Sequence, residues 1–367
     1  MLYYLANFEH IWGPLRLFRS VTFRAAGAIF TAMIIAFIFG PLTIKLLKKF
    51  NTAAPTRLKG LVPDEHIDFD KDKTPTMGGL LIVFAITITG ILWGNLENPY
   101  IVVFIVTLVA LAAVGFLDDY IKIRHKGRDG VSGKFKLLFQ FLIAACAVFF
   151  LFSLPTTNSD MWTLMVPFCK EPVLTGTMGA VAAISIGILA VVGSSNAVNL
   201  TDGKDGLAVG CSIICALTYA AFAYLSGHKI LADYLQIPFI SGASEVTIFA
   251  AAIGGACIGF LWYNCHPASM FMGDTGSLAL GGIIGLIAVL VKQEFTLILV
   301  GGVFVIEALS VIIQVTSFKL TGKRVFLCTP IHHHFERKNW TETQIVVRFW
   351  IISGILALAA IATLKVR

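Results

Sequence analysis

Four short polar clusters in this sequence contain residues that could do chemistry. They are the pair Asp118-Asp119 and the segments 196–206 (NAVNLTDGKDG), 271–277 (FMGDTGS) and 328–336 (CTPIHHHFE). Two adjacent carboxylates repel each other, and the repulsion raises their pKa values unless a cation lies between them. The pair is therefore interpreted as a metal ligand, a general base or a nucleophile, with a solvated pair at a helix end as the alternative.

The segment 196–206 has the polar side chains of a nucleotide- or sugar-binding turn. These side chains are Asn196, Asn199, Asp202 and Asp205. Gly203 and Gly206 permit tight backbone turns within the segment. A calcium loop is disfavoured, because the twelve-residue pattern that ends in Glu is absent.

The segment 271–277 presents one acid, Asp274, between two glycines and just before an apolar run. Its hard carboxylate oxygens suit Mg²⁺, which keeps several water ligands and is usually completed by substrate phosphates. The same position also suits a helix N-cap at Asp274 or Thr275, and that role is compatible with metal binding.

Three consecutive histidines, His332, His333 and His334, form the fourth cluster. They cannot all face one metal ion from a regular helix, because helical ligands need a spacing of three or four residues. Imidazoles that orient a phosphate group beside a diphosphate fit this pattern better than zinc ligands do.

The composition shows what kind of molecule positions these clusters. Hydrophobic residues make up 57% of the 367 residues and charged residues only 13%, against roughly 25% charged residues in an average soluble domain. With a mean hydropathy of +0.84, the chain is predicted to be an all-α polytopic membrane protein rather than a soluble, disordered or disulfide-stapled one. The net charge of +7 suits an anionic lipid surface or an anionic substrate.

Ten apolar runs approach the roughly 20 residues that a membrane-spanning helix needs. The predicted spans, within a single domain of residues 1–367, are 23–46, 77–96, 100–117, 134–153, 174–194, 206–226, 245–263, 277–291, 295–318 and 345–364. Small residues such as Gly254, Gly255, Ala256 and Gly259 are expected to permit close helix contact in the bilayer.

The basic residues of the short loops predict the orientation. One set of loops holds 19 Lys and Arg residues and the opposite set holds 8, so the richer set is predicted to be cytoplasmic. An even number of spans then leaves both termini periplasmic. All four polar clusters fall on the cytoplasmic side, which predicts a single active site at that face.

Two polar residues, Glu307 and Gln314, lie within the ninth predicted span. Such residues face the interior of a helix bundle by default. An ion-coupled transporter is an alternative function for the chain, but it would need polar residues distributed through the bilayer depth and two repeats with broken helices. An isolated Glu307 is more typical of a helix–helix hydrogen bond.

The ordered set of motifs, from Lys73-Thr-Pro-Thr-Met-Gly-Gly79 to Val347-Arg-Phe-Trp350, resembles the polyprenyl-phosphate N-acetylhexosamine-1-phosphate transferase superfamily. Within it, residues 330–336 are similar to the branch that transfers phospho-N-acetylmuramoyl-pentapeptide. The resemblance implies transfer from UDP-MurNAc-pentapeptide to undecaprenyl phosphate, with Mg²⁺ as cofactor and lipid I and UMP as products. It also implies the bacterial inner membrane and a homodimer. A sibling enzyme that uses UDP-N-acetylglucosamine is the alternative within the superfamily.

The resemblance also assigns roles to individual residues. It implies that Asp274 binds Mg²⁺, that Asp118 is a base or a nucleophile, and that Asp119 helps to bind the metal or the lipid phosphate. The positions implied to bind substrate are Lys73, Lys134, Asn196, Asn199, Asp202, Asp205, Asn264, Phe271 and Gln314, and the histidines at 332–334 match a loop that contacts the nucleotide-sugar. Phe271 is expected to stack on uracil, and the lipid tail is expected in an apolar groove, with the ninth span as one possible neighbour.

Overall fold

The protein is almost entirely helical. A computed structural model describes residues 1–50, 52, 74–124, 130–154, 159–169 and 171–364. Its α-helices are α1 (Val21–Lys49), α2 (Gly79–Trp93), α3 (Pro99–Arg124), α4 (Gly133–Ser153), α5 (Gly176–Thr201), α6 (Leu207–Ser226), α7 (Lys229–Leu235), α8 (Ser244–Asn264), α9 (Gly273–Leu290), α10 (Leu297–Val300), α11 (Gly302–Thr321), α12 (Ile331–Glu336) and α13 (Glu342–Thr363). These ranges contain one isolated β-bridge and no strand, so the predicted all-α class is confirmed.

Nine of the helices in the described ranges are long and apolar enough to cross a membrane. The second predicted span is shorter than expected, because α2 has only 15 residues and a helix of that length rises about 22 Å. The ninth predicted span, 295–318, is interrupted at Gly301, where α10 ends and α11 begins. The described residues therefore contain nine candidate spans and one short apolar helix, as expected of a multi-pass membrane protein.

Three helix ends differ from the sequence prediction in a way that matters for the polar clusters. Helix α3 continues past residue 117 to Arg124, so Asp118 and Asp119 lie within the helix. Helix α5 continues to Thr201 and includes Asn196 and Asn199, which were predicted in a loop. Helix α9 begins at Gly273, so Asp274 lies in its first turn and is not the N-cap.

Helix α9 lies at the centre of the bundle. In its most apolar stretch 89% of the residues are buried, compared with 22% in α1, α5 and α11. Helices α3 and α5 pack directly against it. The outer helices present apolar side chains outwards, as expected for a surface that faces lipid.

Glycines bring neighbouring helices into close contact, as predicted. A Cβ atom at Gly255 of α8 would lie 2.7 Å from the Cα of Ile29 on α1, and one at Gly259 would lie 2.6 Å from the Cβ of Ala36. A side chain at either position would force α1 and α8 apart. In a bilayer such close packing contributes to the association of helices.

Candidate active site

Two central helices bring three carboxylates together at one end of the bundle. Asp118 and Asp119 come from α3, Asp274 comes from α9, and one oxygen atom of each lies within 4.8 Å of the others. The helices can approach this closely because a Cβ atom at Gly115 would lie only 2.7 Å from the Cα of Thr275. These three acids are called the carboxylate cluster below.

Two lysines compensate the negative charge of the carboxylate cluster. The Nζ of Lys136 on α4 lies 2.6 Å from Oδ2 of Asp274 and 3.4 Å from Oδ2 of Asp118. The Nζ of Lys122 on α3 lies 2.9 Å from the same oxygen of Asp274 and also contacts Asp118. Each ammonium group therefore bridges the two acids, and both are placed to attract a phosphate group.

Lys134 is not part of this arrangement. It was expected to bind substrate, but it is exposed, whereas Lys136 reaches the acids. Residues two positions apart point about 200° away from each other around a helix. Lys134 therefore points away from the acids, and its predicted role in substrate binding stays a prediction.

Asp119 connects the two helices that carry the cluster. Its Oδ1 accepts a hydrogen bond from the backbone N–H of Asp274 at 3.2 Å, and its Oδ2 accepts from the N–H and the hydroxyl of Thr275 at 2.9 and 2.7 Å. A carboxylate at this position satisfies free N–H groups of α9 and interacts favourably with its dipole. Asp119 thus holds Asp274 beside Asp118.

The two asparagines of α5 differ in their contacts. The Nδ2 of Asn199 donates to Oδ1 of Asp274 at 2.8 Å, so Asn199 borders the carboxylate cluster. The Nδ2 of Asn196 donates to Oε1 of Gln140 at 2.9 Å and ties α5 to α4. The structure therefore places Asn199 at the cluster and gives Asn196 a contact between helices.

Asp202 follows α5 and lies beside the carboxylate cluster. Burial and the charges of Asp274 and Asp119 raise the pKa of Asp202 well above its usual value, while a hydrogen bond from the backbone of Gly273 acts in the opposite direction. Binding of a cation near these acids would relieve their repulsion and favour ionised Asp202.

A polar cavity of about 170 Å³ opens beside Asp202. It is lined by Asp202, Gly203, Lys204, Asp205, Asn264 and Phe271. Four of the sequence-predicted substrate positions therefore share one cavity, and the ring of Phe271 can provide a stacking surface within it.

Asp205 and Asn264 also determine the shape of this cavity. Oδ2 of Asp205 accepts from the N–H of Ala268 at 3.1 Å and lies 3.2 Å from Nδ1 of His266. Oδ1 of Asn264 accepts from the N–H of Gly206 at 3.1 Å. Asp205, His266 and Glu342 form a second group that could hold a metal ion.

The three histidines on α12 face three different partners. His332 is buried and its Nδ1 lies 3.0 Å from Oε2 of Glu307. Nδ1 of His333 lies 2.8 Å from Oε2 of Glu336, and Nδ1 of His334 accepts from the N–H of Leu327 at 3.2 Å. The Nδ1 atoms of the three imidazoles therefore contact three separate groups.

Gln314 supports the chain that leads to α12. Its Oε1 accepts from the N–H groups of Val325 and Phe326, both at 3.0 Å, and its Nε2 donates to the carbonyl of Phe326 at 3.1 Å. Both ends of this amide are used within the protein. The structure therefore shows Gln314 supporting residues 325 and 326, and its predicted role in substrate binding stays a prediction.

Comparisons with known proteins show the family of the chain. Residues 101–292 match the model described as glycosyl transferase family 4, and residues 71–83 match signature 1 of phospho-N-acetylmuramoyl-pentapeptide-transferase. The chain is 48% identical over its full length to phospho-N-acetylmuramoyl-pentapeptide-transferases of Neisseria meningitidis serogroup C / serotype 2a and of Neisseria gonorrhoeae. It is 46% identical to the enzyme of that name in Methylacidiphilum infernorum, again with 100% of both chains covered. The chain belongs to the phospho-N-acetylmuramoyl-pentapeptide-transferase family.

The matched regions include most of the site. The carboxylate cluster, Lys122, Lys136 and Asn199 all lie within residues 101–292. Lys73 lies within the family signature but outside the described residues, so its predicted role stays a prediction. The histidines lie beyond residue 292 and are connected to the site through Lys204, whose Nζ lies 2.7 Å from Oε1 of Glu336.

Three residues that contact the candidate site were not among the predicted site residues. They are Lys122, Lys136 and Glu336. From the sequence Lys122 could be a membrane anchor or could attract a lipid phosphate, and it follows Asp118 by four residues on one helix, a spacing that typically pairs side chains. The contacts of Lys136 and Glu336 could not be found from spacing, because their partners lie 138 and 132 residues away in sequence.

The charge balance of the carboxylate cluster suits a divalent cation. Three carboxylates and two ammonium groups leave one formal negative charge, and Asp202 adds to it when ionised. Carboxylate oxygens are the ligands that Mg²⁺ prefers. The donor set therefore fits the ion that the sequence predicts. Asp118 and Asp274 are the acids whose oxygens contact lysine side chains, whereas those of Asp119 accept from N–H groups of α9.

Glu336 provides a prediction about pH. Burial acts to raise the pKa of Glu336, but hydrogen bonds from His333 and Lys204 outweigh it and lower the pKa to about 2. Because the folded state lowers the pKa, these contacts stabilise the protein fully above pH 4.5 and lose their effect as the pH falls towards 2. We expect Glu336→Gln to lower the melting temperature in detergent at pH 7 by more than it does at about pH 3.5. An equal difference at both pH values would contradict this assignment.

Proposed function

We propose that this protein transfers phospho-N-acetylmuramoyl-pentapeptide from UDP-MurNAc-pentapeptide to undecaprenyl phosphate, forming lipid I and releasing UMP. This reaction is the first membrane step of peptidoglycan synthesis. The observation that carries the proposal is the carboxylate cluster with its two lysines, found in a chain 46–48% identical over its whole length to enzymes named for this transfer. The sibling reaction with UDP-N-acetylglucosamine and the transporter have less support.

The positive charges at the site would allow two anionic substrates to bind next to each other. A diphosphate and a lipid monophosphate repel each other, and phosphoryl transfer is catalysed mainly by positioning and charge neutralisation. Lys122 and Lys136 are suited to hold the phosphates, and Asp118 to take the proton of the lipid phosphate or to act as the nucleophile. Mg²⁺, when bound to Asp274 and Asp118 with help from Asp119, would neutralise charge on the diphosphate.

The cavity beside Asp202 is the proposed site of the uridine group. Phe271 is suited to stack on the base, and Asp202, Asp205 and Asn199 are suited to contact the nucleotide-sugar. We assign His333 and His334 to the same substrate, since Glu336 and Lys204 join α12 to the cavity wall.

We also propose the location of the site relative to the membrane. Its residues come from the ends of α3, α5 and α8 and from the starts of α4 and α9, which lie on the side rich in Lys and Arg. This side would be cytoplasmic and both termini periplasmic, in a homodimer of single-domain chains in the bacterial inner membrane. A soluble nucleotide and a membrane-bound lipid can both reach such a site.

The lipid tail requires an apolar surface that leads to the lysines. An apolar groove of about 450 Å³ lies between α3 and α4, lined by residues such as Ala110 and Leu142. Ala110 precedes Asp118 by eight residues and Leu142 follows Lys136 by six, which corresponds to about 9–12 Å along the helices. We assign the first isoprene units of the tail to this groove rather than to the ninth span.

The groove makes a prediction of its own. We expect Ala110→Trp to raise the KM for undecaprenyl phosphate by about tenfold, because it fills the groove, and to leave the KM for the nucleotide unchanged. Val109→Trp is the matched control, since Val109 is exposed on the same helix and does not line the groove. Steady-state kinetics with each substrate varied would decide. Equal KM values for the lipid in both variants would exclude the groove.

The overall proposal is tested by UMP release. Purified protein is supplied with undecaprenyl phosphate, Mg²⁺ and either UDP-MurNAc-pentapeptide or UDP-N-acetylglucosamine. We expect UMP from the muramoyl nucleotide alone. UMP from the N-acetylglucosamine nucleotide would support the sibling activity, and no UMP from folded protein with either nucleotide would refute transfer.

A further inference from the structure

Glu307 and His332 form a buried pair to which the proposed reaction assigns no role. Glu307 lies on α11 and His332 in the first turn of α12, and both are fully buried. Oε2 of Glu307 lies 3.0 Å from Nδ1 of His332 and 3.5 Å from its backbone N. The same Oε2 that accepts the backbone N–H of His332 faces Nδ1, so it acts as an acceptor towards the ring as well and places the imidazole proton on Nδ1.

The other ring nitrogen of His332 lies against Gly203, behind the wall of the cavity assigned to the nucleotide. Nε2 has no hydrogen-bond partner among the described residues, and a Cβ atom at Gly203 would lie 2.5 Å from it. Gly203 belongs to the cavity wall together with Asp202 and Lys204. A buried polar atom without a hydrogen-bond partner costs free energy. A donor of this wall that moves towards Nε2 would remove that cost.

The surroundings keep the ring of His332 neutral. Burial lowers the pKa of His332, Glu307 acts in the opposite direction, and His333 and Lys204 lower it further, with a net lowering. A neutral ring with its proton on Nδ1 leaves Nε2 as an acceptor. In the turn 202–206 the N–H groups of Asp202, Asp205 and Gly206 already have acceptors. The N–H groups of Gly203 and Lys204 are therefore the donors that this turn can offer to Nε2.

We propose that Glu307 is a positioning residue for nucleotide binding: it fixes the orientation and tautomer of His332, whose Nε2 accepts a backbone hydrogen bond from the turn 202–206 as that turn closes on the substrate. Glu307 touches neither substrate nor the reacting atoms. It acts through His332 on the wall of the cavity. The inference rests on the function proposed above.

The variant Glu307→Gln tests this role. Its amide no longer fixes the ring. The amide N–H can donate to Nδ1, which moves the imidazole proton to Nε2 and removes the acceptor, and the amide oxygen accepts from Nδ1 more weakly than a carboxylate does. We expect the KM for UDP-MurNAc-pentapeptide to rise about tenfold, the effect of one lost hydrogen bond, with kcat changed less than threefold. Glu307→Asp keeps the acceptor and is expected to restore most of the affinity. A general loss of folded enzyme would lower kcat and leave KM unchanged, which would overturn the inference.

A matched control and a double variant sharpen the result. Glu294→Gln makes the same change in another buried pair, with Lys292 at 3.1 Å near the opposite end of α9, and is expected to leave the nucleotide KM unchanged. His332→Phe is expected to raise that KM, and Glu307→Gln added to it should have no further effect, because both act through Nε2. Additive effects would overturn the proposal.

Two further results must be distinguished from those above: a Glu307→Gln variant that does not fold, and a wild type that releases no UMP. If Glu307→Gln does not fold, ¹⁵N spectra of the histidine-labelled wild type decide: a proton on Nδ1 of His332 and a shift of Nε2 on addition of nucleotide are expected, and a proton on Nε2 would refute the role. A wild type that releases no UMP would end the proposed function itself. An active wild type with unaffected variants would overturn only this inference.

Discussion

Asp274→Asn is expected to lower UMP release by about 10³-fold, because it removes a charge that the proposed mechanism uses to position the cation and both lysines. Asp274 contacts Lys122, Lys136 and Asn199 through its two carboxylate oxygens. Asparagine keeps the size of the side chain but offers a single oxygen and no charge. The loss should appear in kcat at saturating concentrations of both substrates.

The control for this variant is Asp233→Asn, which makes the same change at an exposed position on α7. It is expected to have wild-type activity. Thermal unfolding in detergent would show whether Asp274→Asn is folded. A folded variant that keeps more than a tenth of the wild-type rate would contradict a central role for Asp274.

Lys136→Met is expected to lower kcat/KM by about 10²- to 10³-fold, while Lys134→Met has little effect. Both lysines lie in the first turn of α4, so the two variants share chain region and chemical change. Of these two lysines, Lys136 is the one that bridges Asp274 and Asp118, at 2.6 and 3.4 Å. The measurement is the initial rate of UMP release with each substrate varied in turn.

The activities of Lys134→Met and Lys136→Met would also decide between the lysine expected from the sequence and the lysine that the structure places at the acids. A large loss with Lys134→Met and none with Lys136→Met would support the position expected from the sequence. It would mean that α4 is rotated in the active protein. The structure predicts the opposite order.

The spans could be predicted from the sequence because the length and apolarity of each run follow from the thickness of the bilayer. The meeting of distant acids could also be predicted, because Asp118, Asp202 and Asp274 fall on the same side of the membrane once the loops are oriented. The superfamily resemblance supplied the substrate. None of these steps required knowledge of how the helices pack.

The helix ends near the site could not be predicted in the same way. Asp118 and Asn199 are polar, so a search for apolar runs ends the helix before them. In the folded chain both continue a helix, because partners on neighbouring helices satisfy their side chains: Lys122 and Lys136 for Asp118, and Asp274 for Asn199. A polar side chain can be buried within a helix at little cost in free energy when it has a hydrogen-bonding partner. The helix therefore does not have to end before such a residue.

The supporting residues depend on contacts between remote segments. Gln314 holds residues 325 and 326, and Glu307 pairs with His332. The sequence indicates only that these two side chains are polar within a span and face the bundle interior. Which groups they contact is set by the path of the chain from α11 to α12.

The most direct test of the central claim is Mn²⁺ binding, measured by electron paramagnetic resonance on the purified wild type and on Asp274→Asn. We predict that the wild type binds Mn²⁺, that Mg²⁺ displaces it, and that Asp274→Asn binds at least tenfold more weakly while Asp233→Asn binds like the wild type. Equal Mn²⁺ affinity in the wild type and in folded Asp274→Asn would contradict a metal-assisted transfer at the carboxylate cluster.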